Sequence, residues 1–179
     1  MREQQVPYLA PLSWYRAYVA ERLRGDDTVP PEVAAGARPL PPNRGVIRGA
    51  WGEQTLTVPI LGGRRKLAHT PYGELRLSEH GDWRHLHLQA LTSAYGALPY
   101  FHYFEDDLRA IYAEPRERLQ TVALMLHDLL IKHCDLSACL EYLKTHPTAP
   151  LGRPYAMPDH ITALELLFAR GREAVFSLI

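Results

Sequence analysis

An α+β fold follows from three features of the sequence. Strand-like alternation is confined to the first half, helical apolar stripes take over in the second, and the hydrophobic content is enough to join them in one core. The expected architecture is a small, mainly antiparallel β-sheet from the N-terminal half packed against C-terminal helices. With 179 residues, 46% of them hydrophobic, the chain supports one domain over 1–179 and is short for two. Twenty basic and twenty acidic side chains cancel, and pI lies near 7.1. No global field would gather nucleic acid or an anionic membrane, so neither is an expected partner.

Taken in order, Pro11 opens a helix that carries Trp14 or Tyr15, Tyr18 and Val19 inward and that Gly25 stops. Between Thr28 and Pro42 five prolines remove amide donors, which predicts a surface loop, a lid or a mobile insertion. Residues 43–49 and 54–60 read as two strands of a hairpin turning across Gly49-Ala-Trp51-Gly52, with Pro59 near an edge. The basic run Gly62-Gly-Arg-Arg-Lys66 lacks the spacing of a phosphate loop and reads as solvated loop. Alternation of Leu75 and Leu77 predicts a third strand over 74–78.

The densest stretch, Asp82 to Asp107, begins as a helix with the Asp82 carboxylate as the expected cap. At about 100° per residue, Trp83, Leu86, Ala90, Leu91 and Ala94 share a face, with His87 near its middle. An imidazole there needs a partner: a carbonyl in a packed core, a ligand, or solvent in a cleft. Beyond Pro99, residues Tyr100, Phe101, Tyr103 and Phe104 form an aromatic wall that suits either core or a planar or sugar ligand.

Residues 106–112 continue as helix. Another opens at Pro115 and runs to about His133, burying Leu119, Val122, Ala123, Leu126, Leu129 and Leu130 while His127 faces solvent. Leu124 and Ile131 lie off the stripe, so two-sided packing is expected. Residues 137–143 read as a short strand and 146–158 as loop. Thr162-Ala-Leu-Glu165 has capping-box spacing for a last helix that Gly171 closes, followed by a final turn or two.

Candidate chemistry centres on His87 as general base or acid, with Arg44 as an anion fork and Asp106 (or Asp107) as orienting carboxylate. Asn43, Trp83, Tyr95 and Tyr103 are the expected substrate-binding groups. No metal and no cofactor is expected: His85 and His87 point to different helix faces, and neither Cys134 nor Cys139 joins them. Ser93 lies opposite His87, which argues against a serine nucleophile. No signal core and no roughly 20-residue apolar span occurs, so a cytoplasmic protein acting on a small molecule is the expectation.

These residues, in this order, resemble the WbqC-like protein family in a shorter form of the kind met in Bacteroidetes. The resemblance runs through 8–15, Asn43-Arg44, 52–60, Asp82-Trp83 with His87, Thr92-Ser-Ala-Tyr95, Pro99-Tyr-Phe101, Tyr103, 105–108, and 162–168 with Gly171. It implies a bacterial protein of surface-polysaccharide and O-antigen biosynthesis. The implied role is modification of an amino sugar or nucleotide-sugar by amide-forming acyl or aminoacyl transfer; the alternative is a non-catalytic binding or assembly protein of the same fold. This chain departs from many relatives in having no histidine in Gln4-Gln-Val-Pro7-Tyr8, in placing Arg38-Pro-Leu-Pro-Pro42 where they carry tyrosine and lysine, and in a short stretch between Cys139 and His160.

Overall fold

A computed structural model describes residues 5–24, 40–146 and 155–178. Most of the proline-rich segment, Gly25, and residues 147–154 of the second expected loop lie outside the described residues. The fold is α+β, with a two-stranded antiparallel sheet in the N-terminal half packed against helices.

Helix α1, Leu12–Leu23, follows Pro11, whose extended backbone cannot continue a helix backwards. Without a side-chain cap, its first amides are used by another part of the chain: Leu12 donates to the Ile161 carbonyl at 3.0 Å and Ser13 to that of Asp159 at 2.9 Å. Trp14 and Tyr15 are both buried, because α1 is covered on more than one side.

Strands β1, Arg44–Gly49, and β2, Gly52–Thr57, pair from Arg44↔Thr57 to Gly49↔Gly52. Alternation gives the hairpin two distinct faces. Gly45, Ile47 and Gly49 face Leu9 and the helix that carries His87; a Cβ on Gly45 would lie 2.4 Å from that of Leu9 and one on Gly49 3.6 Å from that of Ala94. Val46 and Arg48 lie on the other face, and β1's outer edge is satisfied by Thr162, whose amide donates to Val46 O at 2.9 Å, and by Tyr95.

Several expectations are corrected. β2 ends at Thr57, and Ile60 meets Leu77 in a lone antiparallel bridge, as Arg76 does Arg118. Residues 74–78 therefore form no third sheet strand, although Leu75 and Leu77 are buried as the alternation requires. The basic run begins helix α2, Gly63–His69, a short exposed turn anchored by Leu67. Residues 137–143 are helical within α6, Leu136–Thr145, since Leu136 and Leu140 bury at helical spacing directly after Asp135 turns the chain in the left-handed region.

Helix α3, Trp83–Tyr95, buries Trp83, His87, Leu91 and Tyr95, every fourth residue, and leaves Leu86 56% exposed. Its buried face, turned mainly to β1 and to α4, Glu105–Ala113, is narrower than the wheel suggested. Asp82 adopts φ 46°, ψ 36° and makes no capping bond. The aromatic wall divides: Phe101 and Phe104 pack with Phe168 in the core, whereas Tyr100 and Tyr103 are exposed.

Helix α5, Leu119–Cys134, starts four residues after Pro115 and buries the whole expected stripe. Leu124 and Ile131 are partly buried against the core, giving the two-sided packing. His127 is buried too, contrary to expectation, because α1 covers that side with Trp14, Tyr15 and Tyr18. At the end, α7, Leu164–Arg170, a 3-10 turn over Gly171–Ala174 and α8, Val175–Leu178, complete the core. No capping box forms: Glu165 turns instead to Arg48.

Candidate functional site

His87 lies at the meeting of three segments. A turn near the N-terminus supplies Tyr8, α3 supplies His87 and Trp83, and α4 supplies Tyr112. The Tyr8 hydroxyl is 2.7 Å from His87 Nδ1 and 2.6 Å from the Tyr112 hydroxyl, all buried. Trp83 stands edge-on to the imidazole at 5.3 Å, fixed by its own Nε1–H donating to Ser78 O at 3.1 Å. Burial lowers the His87 pKa to about 4, so the ring is neutral at neutral pH. Burial, then Tyr112, raises the Tyr8 phenol well above its ordinary value, and burial likewise raises Tyr112.

With Tyr112 donating to Tyr8 and Tyr8 to Nδ1, both phenol protons are used within the chain and the imidazole proton resides on Nε2; the same distances also fit Nδ1–H donating to Tyr8 and Tyr8 to Tyr112. Nε2 has no partner among the described residues. The orienting group of the imidazole is thus Tyr8, a position sequence reasoning assigned to Asp106 or Asp107. Asp106 is exposed in the first turn of α4, and Asp107 faces His133 at 3.6 Å.

The other expected site residues are distributed. Arg44 begins β1 in register with the face that carries Val46 and Arg48, opposite the Gly45 face turned toward Tyr8 and Leu9, and among the described residues it has no contact with His87. Asn43 is buried at the base of the hairpin, where Nδ2 donates to Val58 O at 2.8 Å while Oδ1 finds no partner among the described residues. Tyr95 is buried two turns along α3 from His87. Its oxygen accepts from Arg48 N at 3.1 Å, and burial with the nearby Glu165 carboxylate raises its pKa. Arg48 and Glu165 form an ion pair, with Glu165 almost fully buried. Tyr103 is 66% exposed and rests on His102 rather than on His87.

Sequence reasoning missed Tyr8, Tyr112 and a second buried pair, Tyr15 with His127 Nδ1 at 3.0 Å, whose imidazole burial also brings to about 4. A signal existed for Tyr112: it shares helical spacing with Leu108 and Ile111, and a buried phenol needs a polar partner. Among the described residues no three His, Cys, Asp or Glu side chains group closely enough to hold a metal, and no helix is long and apolar enough to cross a membrane.

Neither a curated protein nor a solved structure matches the chain. A family model does, over residues 41–150, a stretch holding the hairpin, His87, Tyr95 and Tyr112. That match takes in well over half of the sequence, and the chain belongs to the WbqC-like protein family.

Proposed function

We propose that the chain modifies an amino-sugar precursor of a surface polysaccharide by amide-forming acyl or aminoacyl transfer, and that His87 meets the reacting carbonyl. The substrate class is supported by the resemblance to proteins encoded among surface-polysaccharide genes. The role of His87 is supported by one observation, the Tyr112–Tyr8–His87 chain that leaves Nε2 without a described partner. In this reading Nε2–H donates to the carbonyl oxygen of the acyl donor as negative charge grows on it. A neutral imidazole suits that task, because burial disfavours the imidazolium and leaves a ring whose single N–H can donate a hydrogen bond without giving up its proton. The sugar amine attacks the carbonyl carbon, the new C–N bond forms, and the donor's leaving group departs with the amine proton. Trp83 walls the ring and holds its plane.

Mass spectrometry of surface polysaccharide tests this in cells lacking the chain and in cells supplied with wild type, His87→Gln or Tyr8→Phe. The expected outcome is loss of an N-acyl substituent without the chain, restoration by wild type and none by His87→Gln. An acyl pattern that ignores the deletion removes the proposal. One observation favours the alternative of a non-catalytic binding protein: the His87 ring is only 6% exposed, whereas the hairpin tip is open. In that reading, composition stays constant and the chain is retained by the polysaccharide itself.

A further inference from the structure

Three tryptophans have two fates. Trp14 and Trp83 are buried, whereas Trp51, at the tip of the hairpin, is fully exposed. A large indole left wholly in water is the kind of surface feature that calls for an occupant. It lines a groove of about 210 Å³ between the hairpin and α3, with Gly49, Gln54, Ala90, Ser93 and Ala94 on its floor and sides. That space is smaller than the roughly 300–1,000 Å³ of sites for drug-sized ligands and is enough for one six-membered ring.

The polar groups narrow the class. Glu53 is the single ionisable residue in the lining, with no lysine or arginine, so a phosphate or other anion gains nothing there. One Glu53 oxygen, Oε1, bonds His160 Nε2 at 2.9 Å. The Gln54 amide and Ser93 hydroxyl have no partner among the described residues and stand on opposite sides of the groove. The strand register pairs Glu53 with Arg48 and turns its carboxylate to the other face of the hairpin, so the groove itself offers a flat π face, an amide and a hydroxyl around small residues, which match a ring with one apolar C–H face and a rim of hydroxyls.

We propose that the hairpin-tip groove binds a single pyranose ring, its C–H face on Trp51 and its hydroxyls toward Gln54 and Ser93. This rests on the carbohydrate half of the function proposed above and is independent of what His87 does. The hairpin would select the sugar, while any reaction occurs further along α3.

Because the other two indoles are buried, acrylamide quenching and the exposed indole N–H signal in NMR report on Trp51 alone. Methyl glucoside, methyl glucosaminide and N-acetylglucosamine are the probes, with uridine diphosphate as the anionic control. At least one glycoside is expected to shield Trp51 and move its N–H signal. Trp51→Ala should weaken that binding about tenfold or more, roughly the loss of one good stacking contact, with unchanged melting temperature. Trp51→Phe should recover most of it, and Gln54→Ala should weaken it several-fold. The inference is overturned if no glycoside shields Trp51, if uridine diphosphate alone does so equally, or if sedimentation shows a dimer that buries Trp51 without ligand. Glycoside binding that survives in His87→Gln, with the polysaccharide unchanged by deletion, would retire the catalytic reading and leave this one standing.

Discussion

Tyr8 is the residue on which the buried polar chemistry turns, since its one hydroxyl serves both His87 and Tyr112. Tyr8→Phe keeps the ring's packing but strands an imidazole nitrogen and a phenol in the core. It should cost about 2–4 kcal/mol, read from urea unfolding, whereas Tyr103→Phe should change almost nothing. The two buried imidazoles also set a pH dependence. His87 and His127 both titrate near 4 in the folded chain against an ordinary 6.5, so the unfolded chain binds the extra protons first. Stability is therefore complete above about pH 6.5 and falls as pH drops through the window down to about 4, by about 3 kcal/mol per histidine at most. Urea midpoints measured across that range should fall with a slope near two protons, and His127→Gln should remove about half of the slope.

At the scale of elements, the junction of β1, α3 and α7 depends on the Arg48–Glu165 pair. Arg48→Met leaves a carboxylate buried without its counter-charge and should destabilise by about 3–5 kcal/mol. Adding Glu165→Leu should recover much of that loss, and a double-mutant cycle measures the coupling. Asp82 offers the opposite case: it sits in the left-handed region and caps nothing, so Asp82→Gly should raise stability by about 0.5 kcal/mol in thermal unfolding. These junctions explain what could be read from sequence. The α5 stripe was legible because its six apolar positions carry their own periodicity, and the hairpin because its turn residues do. The Thr162–Glu165 spacing reads as a cap, yet the Glu165 carboxylate is taken by the Arg48 guanidinium and the Thr162 amide is spent on Val46 O. The segment 137–143 misled because Cys, Leu and Tyr suit either state, and only the packing of Leu136 and Leu140 chose helix.

Across the whole molecule, the C-terminal segment is the closing element. It passes beneath α1, where Asp159 and Ile161 accept the first helical amides, and along β1, where Thr162 donates to Val46. Hydrogen exchange should therefore show the amides of α1's first turn and of β1 protected together with α7, while β2, exposed along most of its length, exchanges by local opening. The sequence by itself determined the α+β class, the hairpin with its turn, the inward stripe of α5 and the family, because each is encoded by residues close together in the chain. Only the tertiary structure decided that His87 is held by Tyr8, that Arg44 lies on the far face of the hairpin, that His127 is buried and that Trp51 is left in water. Those outcomes depend on which surfaces meet across dozens of residues, and a periodicity reports which face of an element is apolar without saying what will cover it.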